Sequence, residues 1–143
     1  GRNDVSAVIC DGGPFHRIYS NTKNFFYYEV GIKNKHLNKI AAFFGSAIWG
    51  YKPIDKLHKV LRVWPRSVPV LSIRGEKDNI VAPTTIRKVF KIANNVDVTA
   101  LDLEYGKHLD GMRDFTDQYT KVMRPFIKRK ATPIPLESDQ ESH

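Results

Sequence analysis

Apolar residues along the chain follow two different rhythms. Val5, Ala7, Val8, Ile9 and Cys10 form a short apolar run that stops at the turn cluster Asp11-Gly12-Gly13-Pro14. A run of this kind, bounded by turn residues, predicts a buried strand. Residues 68–75 repeat the pattern: Pro69 leads into Val70, Leu71 and Ile73, and Gly75 closes the run. Residues 96–103 alternate instead, with Val96, Val98, Leu101 and Leu103 set among Asp97, Thr99 and Asp102. That alternation predicts a strand with one wetter face, nearer a sheet edge.

The intervening stretches have helical spacing. Residues 15–66 hold an aromatic patch at Phe25, Phe26, Tyr27 and Tyr28, then Leu37, Ile40, Ala41, Phe43 and Phe44. Pro53 is placed to start a further helix with Leu57, Val60 and Leu61 on its apolar face. Core packing is the commoner meaning of any one such aromatic; the functional alternative is a cap that covers a substrate. Residues 84–94 predict a helix with Ile86, Val89, Phe90 and Ile92 as its stripe and Thr84 or Thr85 as its cap. Phe115, Tyr119, Val122, Met123, Phe126 and Ile127 mark a last amphipathic helix, and residues 130–143 have the composition of a disordered tail. The order strand, helical insertion, strand, helix, strand, helix predicts a parallel α/β sheet.

Composition narrows the picture. At 143 residues, 41% of them hydrophobic, the chain has the size and apolar mass of one domain. The net charge of +8 raises nucleic acid as a partner. The basic residues lie in scattered groups, however, such as Lys33, Lys35 and Lys39, or Arg87, Lys88 and Lys91. They form no reader module, so no specific nucleic-acid binding is expected. Cys10 is the single cysteine and cannot form an internal disulfide, which leans weakly toward a reducing, cytoplasmic compartment. The longest apolar stretch, residues 40–51, is interrupted at Gly45 and Ser46 and falls short of a membrane span.

In open α/β sheets functional groups collect in loops at the C-terminal ends of strands. Three such loops carry Asp11, Asp78 and His108. A loop aspartate by itself is most often a turn residue, and a loop histidine is usually structural or exposed. Asp78 and His108 on successive strand ends are a stronger signal, because a carboxylate can fix the tautomer of an imidazole and stabilise its protonated form. They are the candidate catalytic pair.

Specific residues also carry a family resemblance. Pro69-Val70-Leu71-Ser72-Ile73-Arg74-Gly75-Glu76-Lys77-Asp78-Asn79-Ile80-Val81-Ala82-Pro83 resembles the acid-bearing strand and loop of the α/β-hydrolase superfamily. Tyr105-Gly106-Lys107-His108-Leu109-Asp110 resembles the histidine loop that follows it. The separation of 30 positions (108 − 78) suits the serine-aminopeptidase and monoglyceride-lipase-like branches. The resemblance covers residues 5–128 and implies the C-terminal part of an α/β-hydrolase parallel sheet with a helical, cap-like insertion at about residues 15–66. Residues 1–129 would be a partial hydrolase domain.

On this alignment the first strand follows the nucleophile-bearing strand–turn–helix. The serine of a Gly-x-Ser-x-Gly elbow is therefore expected upstream, about 25 residues before Val5. No such pentapeptide occurs in the 143 residues. Ser46 has the wrong spacing and reads as a break in the helical insertion. Asp11-Gly12-Gly13-Pro14 superficially resembles the oxyanion loop of these enzymes, but that loop precedes the nucleophile, and residues 15–67 contain no elbow and no strand after it. Asp11 remains a minor alternative for the acid.

The resemblance implies ester or amide hydrolysis with no metal and no organic cofactor. His108 would act as general base and then general acid, oriented by Asp78. The expected partners are a small hydrophobic or acyl substrate and the missing N-terminal part of the hydrolase domain; without the latter the chain is expected to be inactive. The alternatives are a non-catalytic interaction module, an acyltransferase on the same scaffold and, weakest, a basic nucleic-acid-binding protein.

Overall fold

A computed structural model describes residues 5–14, 17–48, 53–93 and 95–131. Strands β1 (Val8–Asp11), β2 (Val70–Gly75) and β3 (Val98–Leu103) form one parallel sheet in the order β1-β2-β3. Helices α1 (Ile18–Tyr28), α2 (Lys35–Ile48) and α3 (Pro53–Arg62) lie between β1 and β2, α4 (Pro83–Ile92) joins β2 to β3, and α5 (Gly111–Asp114) and α6 (Thr116–Ala131) follow β3. Helix α6 continues two residues, 130 and 131, into the segment expected as a tail, and residues 132–143 lie outside the described residues.

The register explains which helix covers which face. Leu71 and Ile73 of β2 share a face with Leu101 and Leu103 of β3, and this face packs against Tyr119 and Phe126 of α6. Full burial of such side chains contributes about 1.5–3 kcal/mol each. Successive strand residues point to opposite faces, so Arg74 and its cross-strand partner Asp102 face the other way. There the guanidinium meets the carboxylate twice, Nε to Oδ1 at 2.7 Å and Nη2 to Oδ2 at 3.0 Å. Arg87 of α4 bonds both Asp102 and Glu76, tying α4 to this face. Burial pushes the Asp102 carboxyl up, but the hydrogen bonds and charges of Arg74 and Arg87 outweigh it and hold the group below its ordinary range. Helix α3 packs on α4 through Leu61 against Val89 and Ala93.

Several local expectations are corrected. The β1 strand is not buried: Ile9 is 38% exposed, because among the described residues β1 pairs only with β2. Neither Thr84 nor Thr85 caps α4. The N-cap is Ala82, without a side-chain bond, and Pro83 begins the helix with its φ already suited to a first turn. Ser46 does not break the insertion, since it lies inside α2 and its hydroxyl donates to the Phe43 carbonyl at 3.0 Å. Gly45 is accommodated there by packing, because a Cβ would come within 2.9 Å of Thr22 Cγ2 and 3.0 Å of the Phe26 ring. Asn34 starts α2 by accepting from the His36 and Leu37 amides at 3.0 and 3.1 Å. The aromatics of the insertion are mostly not core: Phe25, Tyr27, Tyr28, Phe43 and Phe44 are 40–65% exposed. No helix among the described residues is long and apolar enough to cross a membrane.

Candidate active site

The C-terminal ends of all three strands meet at one edge of the sheet. β2 ends at Gly75 and turns through Glu76 and Lys77 to Asp78. β3 ends at Leu103, and its loop returns to the same place: the Glu76 amide donates to the Leu103 carbonyl at 2.9 Å and the Lys77 amide to the Gly106 carbonyl at 3.0 Å. This approach requires glycine at position 75, where a Cβ would collide with the Gly106 carbonyl and lie 2.9 Å from the Lys107 oxygen. The two loops are thus joined through their backbones before any side chain is considered.

Asp78 occupies the centre of this junction with its side chain only 3% exposed. Its Oδ1 accepts from the Ile80 and Val81 amides, both at 2.8 Å, which closes the acid loop on itself. Its Oδ2 is 2.8 Å from His108 Nδ1. An ionised carboxylate can only accept, so Nδ1 carries the proton and Nε2 is the basic nitrogen of the ring. The residue after the histidine, Leu109, has φ of 58°, in the left-handed region that favours glycine. A non-glycine residue there costs about 1–2 kcal/mol, and this strain sits directly beside His108.

The hydrogen bond to Asp78 raises the His108 pKa. Partial burial opposes that shift, and the charges of Asp78, Glu29 and Asp11 add to it. Asp11 is at the end of β1 and within 3.4 Å of the Tyr119 hydroxyl, which donates to Oδ2. Partial burial of the Asp11 carboxyl and the nearby charge of Asp78 push its pKa up, and the Tyr119 bond and the His108 charge only partly offset this. Gly12, at φ +64°, backs the imidazole: a Cβ there would lie 3.9 Å from His108 Cε1.

The structure therefore brings Asp78 and His108 into direct contact and places Asp11 nearby without a hydrogen bond to the histidine. Ser46 bonds within α2 and not to this pair. Two contributors escaped the sequence reading. Gly12 belongs to a turn cluster that was visible, although its closeness to the imidazole was not. Glu29, the C-cap of α1, acts on His108 only because α1 reaches the acid loop, where Asn24 of the same helix donates to the Ile80 carbonyl at 3.4 Å. Among the described residues no group of three or more His, Cys, Asp or Glu side chains converges as a metal site.

A three-stranded parallel sheet with helices on both faces, a helical insertion after its first strand, and an acid and a histidine on the last two strand ends have the fold of the C-terminal portion of an α/β-hydrolase. Among solved structures the chain is similar to an esterase of Pyrococcus furiosus, Pf2001, with a TM-score of 0.64, 14% identity and coverage of 90% of this chain and 46% of that one. A second crystal form of that esterase gives a TM-score of 0.63 at 13% identity, covering 90% of this chain and 45% of the esterase. An acylaminoacyl peptidase of Pyrococcus horikoshii matches 96% of this chain and 21% of its own, with 14% identity and a TM-score of 0.49. The chain thus spans less than half the length of these hydrolases. No family model and no curated protein matches the sequence.

Proposed function

We propose that Asp78 and His108 are the acid and base of a serine-hydrolase active site, and that a segment outside these 143 residues supplies the nucleophile. The observation that carries this reading is the 2.8 Å contact between His108 Nδ1 and a buried carboxylate already anchored by two backbone amides. In such a site the serine hydroxyl attacks an acyl carbon and gives its proton to His108 Nε2. Asp78 holds the Nδ1 proton throughout and stabilises the imidazolium. His108 then protonates the leaving alcohol or amine, and the same steps run again with water in place of serine. The raised pKa of His108 favours the imidazolium that this sequence forms. Helices α1 and α2, with Phe25, Ile40 and Phe44 exposed, would cover the site and favour a small hydrophobic or acyl substrate.

The native protein, with whatever precedes residue 1, should hydrolyse short p-nitrophenyl esters. His108→Ala and Asp78→Asn should each lower kcat by about 10³–10⁴-fold. Rates near wild type in both variants would remove the pair from the mechanism. The other reading is a hydrolase-like module without catalysis. No ester hydrolysis by the native protein, together with no labelling of it by a fluorophosphonate, would select it.

A further inference from the structure

The insertion holds a feature that acyl chemistry does not use. Between α1 and α2 lies a cleft of about 320 Å³ lined by Lys23, Tyr27, Lys33, Lys35, Asn38 and Lys39. Four of these six are lysines and none is acidic. Among the described residues no carboxylate pairs with any of the four lysines. Gathering like charges at one mouth disfavours the folded state through repulsion, and a bound anion relieves it. Two of the lining residues are already fixed in place. The Lys33 ammonium donates to the Tyr27 carbonyl at 2.6 Å and sits 4.0 Å from the centre of the Tyr27 ring. Asn38, 3% exposed, donates from Nδ2 to the Ile32 carbonyl at 3.1 Å, which pins the connection between α1 and α2. That bond leaves the buried Asn38 Oδ1 without a partner.

We propose that this cleft binds a small molecule bearing a phosphate monoester. A phosphate monoester brings a charge of about −1.5 to −2 and several strong acceptor oxygens. Lysine binds phosphate as a compact point charge, whereas the planar bidentate match to a carboxylate belongs to arginine, which is absent from the lining. The volume lies near the lower end for small-molecule sites, enough for a phosphate and a short carrier. The site includes neither Asp78 nor His108, so the inference stands apart from the proposed hydrolysis.

Calorimetry on the full chain at low salt, with glycerol 3-phosphate as the probe, tests it. Saturable binding is expected, and none with glycerol, which lacks the phosphate. The double variant Lys35→Ala/Lys39→Ala should bind at least about tenfold more weakly. Lys88→Ala/Lys91→Ala removes the same charge from α4, away from the cleft, and should stay within about threefold of wild type. A parallel sedimentation assay with phosphatidylglycerol vesicles separates a lipid headgroup from a free phosphate: headgroup binding should show the same contrast between the two double variants. Neither soluble nor vesicle binding, or equal losses in both double variants, would overturn the site.

Discussion

Replacing Asp78 separates two tasks that its carboxylate performs at once. Oδ1 receives the Ile80 and Val81 amides, and Oδ2 receives the imidazole. Asparagine keeps the first task, because its carbonyl oxygen can still accept both amides. It reverses the second, since an amide nitrogen now faces His108 Nδ1 and both groups would donate. The ring must adopt the other tautomer, with Nδ1 accepting and Nε2 protonated, and its basic nitrogen is lost. Loss of charge-assisted bonding should cost about 1–2 kcal/mol of stability. Alanine removes both tasks and strands two buried amides at about 1–3 kcal/mol each, so about 3–5 kcal/mol is expected. Small domains total only about 5–15 kcal/mol, so Asp78→Ala approaches unfolding while Asp78→Asn remains measurable. Urea denaturation gives the two stabilities, and a proton NMR titration of the histidine ring follows the pKa, which should fall in Asp78→Asn. An unchanged His108 titration, or equal destabilisation by asparagine and alanine, would refute the reasoning.

Three further outcomes follow from the same geometry. Gly75→Ala drives a Cβ into the backbone of residues 106 and 107 and should cost about 3 kcal/mol in urea, at the upper end for an overpacked site, whereas a near-neutral result would mean that the loops can part. The His108 pKa is raised in the folded state, so folding takes up protons: this contribution is complete below the unfolded value of about 6.5 and is lost as pH rises through the folded pKa. Thermal melts between pH 5 and 9 should show that decline in the wild type and a flatter profile in Asp78→Asn. Asp102→Asn leaves the buried Arg74 guanidinium without its counter-charge and should cost about 2 kcal/mol, reduced from the fully buried case because Asp102 is 41% exposed; a loss below about 0.5 kcal/mol by urea titration would argue that Arg74 is hydrated.

The sheet was legible because periodicity reports backbone geometry directly. Among the described residues, Val70 to Gly75 reads as a buried strand and is the central one, and the alternation at Thr99 and Asp102 reads as a strand nearer an edge and lies at one. The same reasoning overestimated burial of β1, because an apolar run identifies a strand but does not count its neighbours. It misassigned the start of α4, where the preset φ of Pro83 takes precedence over the capping preference of threonine. Ser46 was misread because Gly45 looks like a breaker until Thr22 and Phe26 are seen packed against it. The proximity of Asp78 and His108 followed from strand order alone, since neighbouring parallel strands deliver their following loops to one edge. Glu29 and the lysine cleft depend on how α1 and α2 pack together, a long-range arrangement that no local pattern encodes.

The backbone junction of Gly75 with Gly106 has a consequence for how such a protein can diversify. The spacing between Asp78 and His108 is set chiefly by two loops whose main chains touch, and among the described residues the insertion between β1 and β2 adds only the Asn24 bond to Ile80 and the charge of Glu29. Helices there can be lengthened or exchanged while the backbone junction that pairs Asp78 with His108 is kept. If the proposed active site holds, recognition and chemistry would lie on separate stretches of the chain, and a transplanted insertion should change what is bound without resetting the 2.8 Å contact between His108 and Asp78.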